Sequence, residues 1–510
     1  MSGAATTTTP ANPPEFPQVL GHPRPLWMLF MSEFWERFAF YGIRWAMVLY
    51  IVAQFHGGDA SGEKPASELY GAYLALVYAG AIFGGYVADK LIGFQRSILL
   101  GAVIMATGLF LLASPSEAMF KLGLATIIVG NGLFKPIIST MVGKLYAQGD
   151  DRRDSGFTIF YMGINIGALL APLITQYLAK KIFGIEDMPA YKVVFIAAGI
   201  GMLLSLVWFW FGRTQLKGIG LPAAHQTGMR NVSLVLLFGV VIGIPMFYAL
   251  LTIDANLLQA ILMALFVIPA VMLFREGVVE GQVSRDKVMA MLTIFVFNVL
   301  FWMFFEQAGS SFNFLAEKIV DRDIGMVGMF QALAGTNDFP VSWFQSVNSV
   351  AIIALAPVLA WLWVKMGRNN PIIPRKFGLG LIFNGLAFLL LMVALSSMVD
   401  DAGKIPFWTL FMVYVIQSVG ELCLSPIGLS MTPKLAPARL AGLAMGCWFL
   451  SIAIGNNLAG IFAGKVSGEG GMTVASAHAG YTFGFYALVG SGVVLFLIAP
   501  LIQKWMHGVK

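Results

Sequence analysis

The sequence predicts an all-α integral membrane fold of two six-helix bundles with two extra helices between them, fourteen spans in all. Three observations carry that expectation. Of 510 residues, 58% are hydrophobic and only 11% charged, where soluble domains carry about 25% charged residues. Mean hydropathy is +0.79. Apolar runs of the ~20 residues needed to cross a bilayer recur along the whole chain, grouped six, two and six.

Taken in order, residues 1–25 (MSGAATTTTPANPPEFPQVLGHPRP) are rich in Thr, Pro and Ala. They lack a basic stretch followed by an apolar one, so they read as a disordered cytoplasmic tail and not as a cleaved signal peptide. An N-terminal six-helix bundle follows over 26–213, with spans near 26–55, 67–91, 95–114, 118–146, 154–181 and 190–213. A linker over 214–285 holds the two extra spans, near 232–251 and 254–274. The C-terminal bundle, 286–506, has spans near 286–314, 340–366, 373–397, 406–435, 438–467 and 480–506, and 507–510 forms a cytoplasmic C-terminus.

Orientation follows from the basic residues. With the N-terminus inside, cytoplasmic segments hold 20 Lys and Arg and outside segments nine; Arg37, Arg44 and Lys135 lie within helices and complete the 32. This excess supports fourteen spans with both termini in the cytoplasm. The net charge of +6 has the same origin, and no basic run is dense enough to imply nucleic acid. Cys423 and Cys447 fall in apolar segments and read as small core residues. No HExxH, GxSxG or helical His cluster is present, so neither a metal nor a catalytic residue is expected, and the chain reads as no enzyme.

Charges inside apolar helices carry the functional signal, because each costs roughly 2.5–3.5 kcal/mol at mid-membrane unless paired or wet. The first span contains EFWERFAFYG, Glu33 to Gly42. A period of 3.6 residues puts Glu33, Arg37, Tyr41 and Arg44 on one face with Glu36 beside them. Span four carries Lys135 in GNGLFKP, and span five carries Tyr161 and Asn165 in FYMGINIGALLAP. Asn298, Trp302 and Glu306 repeat at four-residue spacing in span seven. Gln345 and Asn348 stand a turn apart in span eight, Glu421 lies in span ten, and Trp448 and Phe449 lie in span eleven. An Asn there serves equally as glue between helices or as a substrate contact.

The interior charges are Glu33, Glu36, Glu306 and Glu421 against Arg37, Arg44 and Lys135, one carboxylate in surplus. Burial disfavours an uncompensated charge, so one proton held in this cluster is expected. A bound zwitterion would leave the sum unchanged while offering a partner to each sign. The charges therefore suggest a proton-coupled carrier of something with both an amine and a carboxylate.

The six-two-six plan and the loop GGYVADKLIGFQR resemble the major facilitator superfamily. Its GxxxDKxxGxxR spacing falls on Gly85, Asp89, Lys90, Gly93 and Arg96. EFWERFAFYG resembles the ExxERFxYYG signature of the proton-dependent oligopeptide (POT, or PTR2) transporters of bacterial type. FYMGINIGAL is similar to their FYxxINxGSL, and GELCLSP with a following WF pair completes the pattern. Phe40 stands where the first tyrosine of YYG is usual, and Ala168 replaces the serine of GSL.

The resemblance implies a symporter importing di- and tripeptides with protons across the bacterial inner membrane by alternating access, monomeric and needing no cofactor beyond the coupling proton. Glu33, Glu36 and Arg37 would form the proton-responsive cluster, with Lys135 as its ion-pair partner. Arg44 and Glu306 would form a gating salt bridge between the halves, Glu306 also responding to the proton. Glu421, assisted by Asn165 and Asn348, would hold the peptide ammonium. Arg37, Arg44 and Lys135 would attract its carboxylate. Tyr41, Tyr78 and Tyr161 would hydrogen-bond its backbone, and Trp302, Trp448 and Phe449 would line side-chain pockets. The alternatives are a carrier of nitrate, a sugar or a drug-like solute, and a peptide sensor that does not translocate. A buried Glu421 has no use in an anion carrier.

Overall fold

The computed structural model describes residues 13–147, 149–185, 189–223, 228–335 and 337–509. Among them are fourteen helices long and apolar enough to span a membrane. They are α1 (Arg24–Phe55), α2 (Ala60–Ile92), α3 (Phe94–Leu112), α4 (Glu117–Gly143), α5 (Arg152–Ile182), α6 (Tyr191–Leu216), α7 (Met229–Thr252), α8 (Ala255–Glu280) and α9 (Gln282–Lys318). The remaining five are α10 (Trp343–Asn369), α11 (Ile373–Ser397), α12 (Phe407–Leu435), α13 (Ala441–Ser467) and α14 (Val474–Trp505). An even number of spans brings both ends of the chain to one face, the terminal face; the opposite one is the far face. The 32 residues of α1 reach about 48 Å, more than the ~30 Å hydrocarbon core.

In the first half α1 packs on α5 and α6 and α3 lies along α4, while in the second α11 lies along α14 and α12. The halves meet along α2–α13 and α5–α10. Backbone touches backbone in the first of these seams. A Cβ added at Gly71 would lie 2.6 Å from Gly460 Cα, so only glycine permits the approach. The extra pair spans the seam: α7 packs on α4, and α8 packs on α13 and α9. Asn457 of α13 donates to Ala255 O and Gln259 Oε1 at the start of α8, both at 2.9 Å.

Several boundaries depart from the periodicity reading, each for a local reason. Helix α2 starts at Ala60 and not near 67, because the Asp59 side chain accepts from Ser61 N at 2.8 Å and caps it. Helix α14 starts at Val474 and not near 480, because Thr473 and Ser476 form a capping box. Helix α9 begins at Gln282, within the expected linker, and breaks at a 3₁₀ turn, Glu306–Gly309, before continuing from Ser311. Gly93 closes the α2–α3 loop with φ of +81°, a conformation that favours glycine.

The disordered tail is corrected from residue 13 onward; residues 1–12 lie outside the described part. Strands β1 (Gln18–Val19) and β2 (His22–Pro23) form a small hairpin on the terminal face. Side chains pin it there: His22 Nδ1 lies 2.9 Å from the Tyr146 hydroxyl, and Arg152 donates to Gln18 Oε1 at 3.1 Å. Phe16 is buried, and Lys217 donates to Glu15 O at 2.5 Å. The Thr/Pro composition belongs to the first fourteen residues, and it masked a short segment with apolar anchors of its own.

Candidate functional site

The first turns of the polar stripe of α1 are buried, and Tyr41 and Arg44 beyond them are partly so. Glu33 is 2% exposed, Glu36 0% and Arg37 4%. Arg37 holds Glu36 through Nε and Nη2, the latter at 2.5 Å from Oε1, and reaches back one turn to Glu33 at 3.3 Å. Asn131 of α4 donates to Glu36 Oε1 at 3.4 Å. One guanidinium thus serves two carboxylates, and Glu33 Oε2 is buried without a hydrogen-bond partner among the described residues.

Lys135 does not join this cluster as expected. It makes no salt bridge among the described residues; its ammonium stands 4.6 Å over the Tyr78 ring and 5.9 Å from the Phe40 ring. The physical reason is proximity along the helix. Arg37, one residue and one turn from the two glutamates, takes their oxygens first. Phe40, which lacks the usual hydroxyl, offers a π-face to both Arg37, at 4.9 Å, and Lys135.

The expected bridge between halves is formed. Arg44 Nη2 lies 2.6 Å from Glu306 Oε2, and Arg44 Nε donates to the Tyr70 hydroxyl at 2.9 Å. Glu306 occupies the break in α9, where a helix end turns its side chain inward. The break also supplies Gly309, at which a Cβ would lie 1.9 Å from the Tyr70 hydroxyl. Tyr70 and Gly309 were not recognised in the sequence.

Above these groups lies a cavity of about 250 Å³ between the halves. All twelve residues expected to contact substrate line it: Arg37, Tyr41, Arg44, Tyr78, Lys135, Tyr161, Asn165, Trp302, Asn348, Glu421, Trp448 and Phe449. Glu306 and Phe40 line it too, whereas Glu33 and Glu36 lie behind it. The cations come from α1 and α4, and the facing carboxylates from α9 and α12. Asn348 donates to Glu421 Oε2 at 3.1 Å and to Ser418 Oγ at 2.8 Å, which fixes the carboxylate toward α10.

Some polar residues hold the walls and not the contents. Asn165 donates to Tyr161 O in its own helix at 3.0 Å. Asn298 accepts from Trp302 Nε1 at 3.1 Å and donates to Ser451 Oγ at 2.8 Å, so it orients the indole. Gln345 is absorbed by the break, donating to Ala308 O at 3.2 Å. Trp448 is wedged edge-on against Phe295, ring centroids 5.6 Å apart. Cys423 and Cys447 are buried free thiols. Among the described residues no group of three or more His, Cys, Asp or Glu could hold a metal ion.

Further ion pairs cross the seam toward the far face. Glu63 at the start of α2 is 1% exposed, pairs with Lys318 at the end of α9 and accepts from Met472 N at 2.8 Å. Beside it Lys64 meets Glu469 at 2.5 Å. These pairs tie the two halves together at the far face.

Comparison with known proteins places this arrangement. The model of the POT family (PTR2) matches residues 95–470. The peptide transporter YePEPT of Yersinia enterocolitica is 34% identical over 98% of this chain and 99% of its own. A di-/tripeptide transporter of Lactococcus lactis is 32% identical over 96% and 98%. Among solved structures, a peptide transporter POT in complex with sulfate superposes with a TM-score of 0.81 at 33% identity, covering 96% of this chain and 97% of that one. A POT family transporter in complex with 5-aminolevulinic acid gives 0.78 at 29% identity, covering 96% and 98%.

Proposed function

The chain belongs to the POT family, and from that premise we propose that it is a proton-coupled symporter that imports di- and tripeptides across a bacterial inner membrane, with both termini in the cytoplasm. One observation carries the reading: the 250 Å³ cavity has a cationic wall of Arg37, Arg44 and Lys135 opposite the carboxylates of Glu306 and Glu421. A zwitterion with its ends a few ångströms apart satisfies both walls at once. Its carboxylate goes to α1 and α4 and its ammonium to Glu421, while the tyrosines and aromatics bracket whatever lies between. Termini fix the pose and loose apolar walls tolerate varied side chains, which suits many peptides. The neighbour in complex with 5-aminolevulinic acid fits the same rule, since that ligand also carries an amine and a carboxylate.

Coupling follows from the same groups. Two glutamates share one guanidinium behind the cavity, so a proton arriving on Glu33 removes the uncompensated charge. Peptide carboxylate competing for Arg44 would loosen its hold on Glu306 and release the far-face tie. One charge moving down 100 mV supplies about 2.3 kcal/mol, enough for roughly 50-fold accumulation at 1.4 kcal/mol per tenfold. In proteoliposomes, di-alanine or tri-alanine should accumulate when the lumen is alkaline or negative. Uptake that ignores a protonophore would refute the coupling, and absence of any uptake of a peptide panel would refute the substrate class.

A further inference from the structure

Behind the aromatic wall of the central cavity runs a hydrogen-bonded chain that joins two helices. The Trp302 indole N–H of α9 donates to Asn298 Oδ1, one turn back, at 3.1 Å. Asn298 Nδ2 donates across to Ser451 Oγ of α13 at 2.8 Å, and Ser451 Oγ donates to Trp448 O at 2.7 Å. Trp302 and Trp448 line the cavity; Asn298 and Ser451 lie behind them, each 0% exposed.

The chain runs in one direction only. An indole nitrogen donates and does not accept, so it fixes which end of the Asn298 amide faces it. The amide then offers only N–H to Ser451, whose own proton is left for the Trp448 carbonyl. Close packing holds the two helices at this spacing. A Cβ added at Gly455 would lie 2.8 Å from Val299 O and 2.9 Å from Trp302 Cβ, so α13 closes on α9 where only glycine fits. Trp448 is held in turn over Gly428 of α12, where a Cβ would lie 2.0 Å from its ring.

With its only polar atom turned back into the bundle, Trp302 shows hydrocarbon to the cavity. Phe305, Phe449 and Ile452 extend the same apolar surface. Were the N–H turned forward, the wall would hold a donor beside whatever side chain lies there.

Resting on the peptide reading above, we propose that Asn298 and Ser451 are positioning residues for side-chain selectivity. By holding the Trp302 N–H away from the cavity and tying Trp302 to the Trp448 turn, they make the pocket prefer an apolar side chain to a polar one of the same size. Neither touches the peptide; both act through the tryptophans.

The test compares uptake in proteoliposomes of Ala-Ala with that of two near-isosteric pairs, Ala-Leu against Ala-Asn and Leu-Ala against Asn-Ala. In at least one pair the wild type should prefer Leu by roughly tenfold in kcat/KM, the order of discrimination a hydrophobic pocket gives. Asn298→Leu strips the N–H of its acceptor and should cut that preference by about fivefold, the effect of one hydrogen bond, while Ala-Ala uptake holds. Ser451→Ala should move the ratio the same way and by less. Trp302→Phe has no N–H to misplace, so adding Asn298→Leu to it should change the ratio no further. Equal uptake of Leu and Asn peptides by the wild type would overturn the proposal without any variant. So would an Asn298→Leu protein that loses all the peptides alike, or a further change of ratio in the Trp302→Phe background. A wild type that takes up none of the peptides would remove the peptide reading, and this proposal with it.

Discussion

At the scale of single residues, the site is an unequal contest for carboxylate oxygens. Arg37 wins both glutamates because helix geometry places it within a turn of each, which leaves Lys135 resting on aromatic faces. Lys135 is thereby available to a peptide carboxylate or to a glutamate when Arg37 is engaged elsewhere. Lys135→Ala and Glu33→Gln should each abolish proton-driven accumulation while leaving the protein folded; counterflow measured beside driven uptake separates the two. Equal accumulation in wild type and Lys135→Ala would sink the assigned role. A control lies outside the membrane, at Asp150. The side chain and backbone N–H of Arg152 hold its carboxyl down at about 2. A lowered value stabilises above the usual ~3.9 and is lost only as pH falls through about 2. Asp150→Asn should therefore leave the pH profile of uptake unmoved between pH 5 and 8, and a displaced profile would place a coupling group in that loop.

At the scale of elements, the break in α9 is the decisive local structure. It converts a continuous span into two pieces, turns Glu306 toward Arg44, and brings Gly309 under the Tyr70 hydroxyl. Gly309→Ala puts a methyl where that hydroxyl now sits, so Tyr70 must leave Arg44. Overpacking of this kind costs about 1–3 kcal/mol, and transport should fall at least tenfold with peptide affinity little changed; wild-type rates would show that the contact is idle. This is also where the sequence was least legible. Glu33, Arg37, Arg44, Lys135, Glu306 and Glu421 could be picked out because a charge in an apolar helix is anomalous by itself. Tyr70 and Gly309 are ordinary residues for such helices, and only the crossing of two elements far apart in the chain gives them a role. Lys135 was placed in the right cavity but on the wrong partner, since spacing along one helix says nothing of which cation on another is nearer. The hairpin at residues 18–23 was hidden by the composition of the tail before it.

At the scale of the whole molecule, the two halves are tied at the far face and hold the site between them. Glu63 is the buried member of that tie, accepting from Lys318 and from Met472 N. Glu63→Gln removes the charge and leaves both donors behind, and should shift the population toward the far-open form by roughly tenfold, about 1.4 kcal/mol. Distances between spin labels on α2 and α9 would report it, and an unchanged distribution would assign closure to Arg44 and Glu306 alone. The contact of Gly71 with Gly460 bears on how such motion is scaled. Atoms already in backbone contact can roll but not approach, so this point acts as a fulcrum. It sits eleven residues from the far end of α2 and 21 from the terminal end, lever arms of about 17 and 32 Å. A rocking that parts the far face by a given distance therefore sweeps the terminal mouth through nearly twice as much, so the two mouths open to unequal widths.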